Sequence, residues 1–197
     1  WPQDLRSTDT TVEASDVFGI SGTGQTRSKH YSNLRLKDWQ YFGGLNSGST
    51  VGLWFYRDNN EGNSGGPFYR SLLNQITSTN NELTYIVNYG EGQTEAFRLG
   101  VLNSYTLMFT GGGAPAAPDT SWFSLMALDG YVAPAGRGIV AGVGLSGTDS
   151  SFTYTVGFSS TTAQYWTTAN LANNGFFKST GMRPGSYTLT VYKNELA

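Results

Sequence analysis

Four of the chain's 12 lysine and arginine residues fall between positions 27 and 37. They are Arg27, Lys29, Arg35 and Lys37, and the only histidine, His30, lies among them. Because the formal net charge of the chain is −2, this positive field is local. Such a field suits an anionic ligand, and cationic neighbours lower the pKa of a lysine so that it can act as a base. The pattern also fits a strand with a solvated basic edge, where lysine discourages edge-to-edge pairing.

A strand through this stretch would place Arg27 and Lys29 on the same side, since they are two positions apart. Arg27 could then lower the pKa of Lys29 or pair with a carboxylate. His30 would face the opposite side, and we interpret it as structural.

Composition excludes several kinds of site. The chain has no cysteine, which rules out disulfides, thiol nucleophiles and zinc–thiolate centres. A single histidine excludes a histidine-rich metal site and any catalytic dyad that needs two histidines. We expect no cofactor. There is no long basic run and no apolar run of about 18 residues, so neither nucleic acid nor a membrane is an expected partner.

The elements that must position these residues are predicted to be short strands. Charged residues make up 13% of the chain, aromatic residues 14%, and there are 26 glycines, which is typical of strands joined by turns. Residues 71–76 are predicted to form one or two helical turns, and residues 57–67 a long polar loop. The predicted strands are 12–20, 51–56, 83–89, 104–110, 122–131, 139–145, 152–158, 164–167, 175–178 and 186–193.

Residues 111–118, Gly-Gly-Gly-Ala-Pro-Ala-Ala-Pro, are the clearest linker. We therefore predict two all-β domains, 1–118 and 119–197, the second an antiparallel sandwich. Residues 186–193 alternate cleanly between apolar and polar side chains. A strand this regular so near the last residue predicts further strands to pair with it, so we expect the second domain to be truncated.

Seven blocks, in order, resemble polysaccharide lyase family 4, the rhamnogalacturonan lyases of fungal type. The resemblance is colinear from about residue 12 to the last residue. The blocks are Ser-Asp-Val-Phe (15–18), Thr-Arg-Ser-Lys-His-Tyr-Ser (26–32), Ser-Gly-Gly-Pro-Phe-Tyr-Arg (64–70), Gln-Thr-Glu with Arg-Leu-Gly (93–95, 98–100), Gly-Tyr-Val-Ala with Gly-Arg-Gly (130–133, 136–138), Ala-Gln-Tyr-Trp-Thr (163–167) and Arg-Pro-Gly-Ser-Tyr-Thr-Leu (183–189).

The resemblance implies a secreted, extracellular, metal-independent enzyme with three domains. These are a catalytic β-sandwich, a fibronectin III-like domain and a jelly-roll domain that resembles a carbohydrate-binding module. Residues 1–118 would be the C-terminal half of the catalytic sandwich, and 119–197 most of the fibronectin-like domain. The expected partners are the acidic plant cell-wall polysaccharide rhamnogalacturonan I and the missing N-terminal half of the catalytic domain, in the same or another chain.

The family cleaves the bond leaving O4 of galacturonate by β-elimination. A base must remove the C5 proton, positive charge must neutralise the uronate carboxylate, and an acid must protonate the departing oxygen. By resemblance Lys29 is catalytic, and we expect it to be the base. Arg27, Tyr85 and Tyr89 are expected to bind substrate.

The second catalytic block departs from the family pattern. Glu91 stands where the resemblance places a catalytic histidine, and Thr84 and Ile86 stand where it places tyrosines. Tyr85 would face the other side of the strand unless the register slips by one residue. Either Glu91 or Tyr89 replaces the histidine as the acid, or the site has lost lyase activity and only binds pectin. A fibronectin-like adhesion or structural module is a third alternative.

Other conspicuous side chains are expected to be structural. Arg70 and Arg98 are interpreted as pairing residues within the fold. Glu95 is either a carboxylate that supports the site or a surface or turn residue. We expect the aromatic residues of the second domain to form its core, namely Trp122, Phe123, Tyr131, Tyr165, Trp166 and Tyr187.

Overall fold

The computed structural model describes residues 11–14, 17–20, 25–28, 35–69, 72–76, 81–88 and 94–194. Within these ranges there are strands and short 3-10 helices and no α-helix, which confirms the all-β prediction. The strands are β1 (Thr11–Ala14), β2 (Val17–Ile20), β3 (Gln25–Ser28), β4 (Tyr41–Leu45), β5 (Gly52–Arg57), β6 (Leu72–Ile76), β7 (Asn81–Tyr85), β8 (Tyr105–Thr110), β9 (Gly138–Gly142), β10 (Tyr154–Ser159), β11 (Gln164–Thr168), β12 (Phe177–Met182) and β13 (Thr188–Lys193). The 3-10 helices are η1 (Leu36–Asp38), η2 (Ser121–Leu125), η3 (Pro134–Gly136) and η4 (Leu171–Asn173).

The first unit, meaning the described residues before position 119, contains three antiparallel groups of strands: β1-β2-β3, β4-β5-β8 and β6-β7. Its buried apolar cluster is Leu36, Trp39, Phe42 and Tyr69. The Trp39 and Phe42 rings meet edge to face, with centroids 5.4 Å apart. Trp166 of β11 also packs against this cluster, so the core of the first unit extends to a side chain of the second.

The second unit, from position 119 onward, contains the sheets β11-β10-β13 and β12-β9. Its core forms around β10, whose Tyr154, Val156 and Phe158 are buried together with Phe177 and Met182 of β12. The strand predicted from the alternation of residues 186–193 is present as β13, which pairs antiparallel with β10 from Thr188↔Ser159 to Lys193↔Tyr154. Burial does not follow the alternation, because Leu189 is 47% exposed and Tyr192 is buried. A core formed by two antiparallel groups of strands is what the sandwich prediction requires.

Three secondary-structure predictions are wrong. The single strand predicted for residues 12–20 is two strands, β1 and β2, which pair antiparallel with each other. Residues 71–76 do not form helical turns, since Leu72–Ile76 is a strand paired with β7, with Leu72 opposite Tyr85. Residues 122–131 do not form a strand either. They carry η2 and turns, and Trp122 donates its indole N–H to the Asp119 carbonyl (2.9 Å).

Other strands are confirmed with shifted boundaries. For example, β7 begins at Asn81 and ends at Tyr85 rather than at position 89. The Gly-rich linker, residues 111–118, has no regular secondary structure, as expected. The domain boundary at 118/119 stays a prediction. No helix in the described part of the chain is long and apolar enough to cross a membrane.

Candidate active site

The structure describes only part of the predicted catalytic constellation. Lys29, Tyr89 and Glu91 lie outside the described residues. Arg27 is on β3, where its backbone pairs with Phe18 of β2. Tyr85, the last residue of β7, is the one predicted site residue whose side chain is described.

Tyr85 packs against the buried apolar cluster of the first unit. Its hydroxyl accepts a hydrogen bond from the Asn63 side-chain amide, and its ring meets Trp39 edge to face at 5.6 Å. Burial raises the pKa of Tyr85, although Arg57 and the Asn63 hydrogen bond oppose the rise. The Tyr85 hydroxyl therefore keeps its proton at physiological pH.

Arg57 completes this cluster and was not singled out by the sequence. It ends β5 and is 7% exposed. Its Nη2 donates to the carbonyls of Leu36 (3.0 Å) and Trp39 (2.6 Å), and the guanidinium lies 4.6 Å from the centroid of the Trp39 ring. Burial lowers the pKa of Arg57, whereas nearby Tyr85 raises it. Arg57 is therefore a buried cation whose charge is stabilised by two carbonyls, the Trp39 ring and the neighbouring Tyr85 hydroxyl.

Two glycines in the loop between β5 and β6 fix its shape. Gly65 (φ +95°) and Gly66 (φ +75°) have left-handed backbone conformations that other residues rarely adopt. A Cβ on Gly65 would clash with the Tyr69 ring, and one on Gly66 would clash with the Thr94 hydroxyl. This close packing brings the loop against residues 94–95, which lie shortly after Glu91 in the sequence.

Glu95 and Arg98 tie the Gln-Thr-Glu block to the second unit. Glu95 forms an ion pair with Arg98 and accepts a 2.8 Å hydrogen bond from the Ser159 hydroxyl. Arg98 Nε donates to the Ser160 carbonyl (2.8 Å). The pairing role predicted for Arg98 is confirmed. The alternative that Glu95 is a surface residue is wrong, because Glu95 is 8% exposed. Arg70 lies outside the described residues.

Glu61 is the centre of a buried ionic cluster between the two units. Its Oε1 pairs with Arg137 Nη1 and accepts from the Tyr165 hydroxyl (2.8 Å), and its Oε2 accepts from Arg183 Nε (2.7 Å). Burial alone would raise the pKa of Glu61, but the hydrogen bonds from Arg137, Arg183 and Tyr165 outweigh it, so the pKa is lowered. The same burial raises the pKa of Tyr165. The carboxylate is therefore charged at neutral pH and holds two arginines of the second unit.

Hydrogen bonds from Gln164 to backbone carbonyls beside Glu61 also join the two units. The Gln164 amide nitrogen Nε2 donates to the carbonyls of Asn60 (2.8 Å) and Asn63 (2.7 Å), and the Gln164 backbone N–H donates to the Glu61 carbonyl (3.1 Å). Residues 57–67 were predicted to be a polar loop, and the loop is present. Several of its polar side chains are nevertheless buried, because Glu61, Asn63 and Ser64 are each at most 3% exposed. The Glu61 side chain contacts the second unit, whereas the Asn63 amide contacts Tyr85 of the first.

Sequence reasoning did not single out Glu61, Arg137 or Arg183. The available signal was that Arg137 and Arg183 fall in two of the blocks that carry the family resemblance. Among the second-unit aromatics, the core prediction is confirmed for Tyr165 and wrong for Trp122, which is 49% exposed. No cluster of three or more histidine, cysteine, aspartate or glutamate side chains that could hold a metal ion occurs within the described ranges.

The fold and this cluster define a class: an all-β protein in which a sheet-rich unit is joined by buried ion pairs to a second β-sandwich unit. Comparison with known families identifies the class more closely. Residues 2–130 match the family model "Rhamnogalacturonan lyase B, N-terminal", and residues 136–197 match "Polysaccharide lyase family 4, domain II", the fibronectin III-like domain. The chain belongs to the rhamnogalacturonan lyases of polysaccharide lyase family 4.

Curated relatives agree with this family. The chain is 40% identical over 185 residues to probable rhamnogalacturonate lyase A of Aspergillus terreus, covering 93% of this chain and 34% of that protein. It is 38% identical over 189 residues to rhamnogalacturonate lyase A of Aspergillus aculeatus, covering 95% and 34%. It is 40% identical over 185 residues to rhamnogalacturonate lyase A of Emericella nidulans, and this match covers 93% of this chain and 34% of that protein. The chain thus spans about a third of the length of these relatives.

Proposed function

We propose that the protein containing this chain is a secreted rhamnogalacturonan endolyase, which cleaves the rhamnogalacturonan I backbone of pectin by β-elimination at galacturonate. The observation that carries the proposal is the consecutive match of both units to one lyase family, with about 40% identity to rhamnogalacturonate lyases over more than nine-tenths of the chain. Elimination and hydrolysis give different products, and mass spectrometry separates them. The elimination product is lighter than the hydrolysis product by one water, and a product of the heavier mass would overturn the proposal.

In the proposed mechanism Lys29 removes the C5 proton of galacturonate. Glu91 protonates the glycosidic oxygen at C4 of the same galacturonate, which leaves with the neighbouring sugar as the bond from C4 to O4 breaks. The electron pair of the C5–H bond forms the C4–C5 double bond. Arg27 neutralises the uronate carboxylate, and Tyr85 and Tyr89 bind the sugar. The Tyr85 hydroxyl accepts a hydrogen bond from Asn63 and lies beside Arg57, and these contacts support a hydroxyl held in a fixed orientation.

A second candidate function is a pectin-binding relative without lyase activity. The specific observation in its favour is that Glu91, Thr84 and Ile86 stand where the family resemblance places a histidine and two tyrosines. Such a protein would hold rhamnogalacturonan and release no unsaturated product.

Exchanging Glu91 tests its role as the acid. Glu91→Gln removes the transferable proton while keeping the shape, so we expect the rate to fall by about 10²-fold or more. Glu91→His restores a group that can donate a proton, and we expect it to keep activity within about tenfold of the unmodified protein. Steady-state release of unsaturated product measures both variants.

The control for these variants is Asp129→Asn, which removes an exposed carboxylate from the second unit. We expect it to leave the rate unchanged. A Glu91→Gln enzyme with the rate of this control would remove Glu91 from the mechanism and leave Tyr89 as the candidate acid.

We further propose that the rest of the catalytic sandwich, in the same or another chain, covers an apolar side of β8. Alternate residues of this strand are exposed although they are apolar, with Leu107 52% and Phe109 72% exposed. An uncovered apolar sheet surface is unfavourable in water. The chain covers only about a third of its relatives' length, which leaves ample sequence for such a cover.

A further inference from the structure

A cleft of about 400 Å³ lies between the loop after β5 and the second unit. One wall carries Asp58 and Asn60, and the other carries Arg137, Arg183 and the Phe123 ring. Both sides of the cleft belong to the described part of the chain. Clefts between two packed units are a common location for ligands.

The two arginines in this cleft are held rigidly yet keep unused donors. Arg137 donates through Nε to the Val132 carbonyl (2.7 Å) and through Nη1 to Glu61 and the Gly181 carbonyl (2.7 Å). Arg183 donates through Nε to Glu61 and through Nη2 to the Gly130 carbonyl. Arg137 Nη2 and Arg183 Nη1 donate to no carbonyl or carboxylate of the described residues, although Arg137 also interacts with the Tyr165 hydroxyl. These N–H groups are therefore preorganised to bind an acceptor.

The opposite wall offers complementary groups. The side-chain amide of Asn60 has no hydrogen-bond partner among the described residues, and it can donate and accept at once. Asp58 accepts a 3.3 Å hydrogen bond from the Thr106 hydroxyl and keeps further capacity as an acceptor. Donors on one wall and acceptors on the other match hydroxyl groups, each of which donates and accepts.

The charges in the cleft balance. Arg137 and Arg183 contribute two positive charges, and Glu61 and Asp58 contribute two carboxylates. A ligand with a net negative charge gains little from such a field, so recognition depends on hydrogen bonds. The aromatic wall of Phe123 and Tyr131, whose rings meet edge to face at 5.7 Å, adds an apolar surface of the kind that the C–H face of a sugar contacts.

We propose that this cleft is a binding site for a neutral sugar unit of the polysaccharide. Asn60 and Asp58 bind the hydroxyls on one side, and Arg137 Nη2 and Arg183 Nη1 bind oxygens on the other. The proposal extends the proposed function, because it assigns a neutral sugar to a site in a protein that cleaves beside an acidic one.

The test measures the binding of L-rhamnose, a neutral probe, to protein expressed from the whole open reading frame, by saturation-transfer NMR titration. Asn60→Ala removes hydrogen bonds to the sugar without breaking a side-chain hydrogen bond to any described residue. We expect the Kd to rise about fivefold, as for the loss of one hydrogen bond of about 1 kcal/mol. Asn173→Ala, an exposed asparagine outside the cleft, is the matched control and should leave the Kd unchanged.

Salt separates recognition of a neutral sugar from recognition of an anion. The rhamnose Kd should change less than about twofold between low and high salt, since screening acts on charged ligands. Equal Kd values for Asn60→Ala and Asn173→Ala would overturn the inference. The inference would also be overturned if the cleft bound galacturonate more tightly than rhamnose and if the galacturonate Kd depended strongly on salt. Release of unsaturated product is measured separately, so a failure of lyase activity and a failure of this site are distinguishable.

Discussion

Lys29→Ala should lower kcat/KM on rhamnogalacturonan by about 10²–10⁴-fold, because the C5 proton then has no base. Lys29→Arg sharpens the test. Arginine keeps the positive charge, but its pKa is too high for it to accept a proton near neutral pH. If Lys29 is the base, both variants lose activity to a similar extent. Release of unsaturated product by the protein expressed from the whole open reading frame measures the effect.

The control for Lys29 is Lys178→Ala, which removes an exposed lysine of β12 and the same unit of charge. We expect its activity to be unchanged. Two results would contradict the assignment. Near-normal turnover of Lys29→Ala would remove Lys29 from the mechanism, and activity retained by Lys29→Arg alone would make its role electrostatic.

Glu61→Gln should lower the free energy of unfolding by about 3–5 kcal/mol, because it leaves Arg137 and Arg183 without their buried carboxylate. The neutral amide keeps the shape of the side chain, so the change isolates the charge. Urea titration followed by tryptophan fluorescence measures the difference. Asp129→Asn removes an exposed carboxylate and should change stability by less than about 0.5 kcal/mol.

The difference in stability between the unmodified protein and the Glu61→Gln variant should depend on pH in a defined direction. The pKa of Glu61 is lower in the folded protein than in the unfolded chain, where it is about 4.3. The stabilisation is therefore fully present above that unfolded value and is lost as pH falls through the lower folded pKa. The difference in unfolding free energy between the two proteins should have its largest value at pH 7 and should decrease only at acidic pH. A gap that is constant over this range, or one no larger than the Asp129→Asn effect, would contradict an ionic role for Glu61.

Local patterns predicted the strands well, because their causes are local. The apolar run at 51–56 forms β5, and the alternating segment 186–193 contains strand β13. The failures have non-local or competing causes. Residues 71–76 are a strand because β7 pairs with them, and the rings of Trp122, Phe123 and Tyr131 pack on one another in a turn-rich segment instead of extending.

The site was less accessible to sequence reasoning than the fold. In the sequence, Glu61 looks like an ordinary polar residue of a glycine- and asparagine-rich loop. Its partners Arg137 and Arg183 are 76 and 122 residues away, so no local pattern indicates the ion pairs. In the sequence, Arg57 looks like the polar end of an apolar strand. Its burial is compensated by hydrogen bonds to the carbonyls of Leu36 and Trp39, which belong to a different segment. The family resemblance predicts that Tyr85 binds substrate, but its contacts with Asn63 and Trp39 are visible only in the fold. The catalytic roles of Lys29 and Glu91 remain predictions.

The most direct test of lyase chemistry is the ultraviolet absorbance of unsaturated uronate, followed over time while the protein acts on rhamnogalacturonan I. We expect a steady rise that depends on enzyme concentration, despite the glutamate at position 91. A flat trace from a folded protein that still binds the polymer would contradict lyase activity, and would identify a protein that holds pectin without cleaving it.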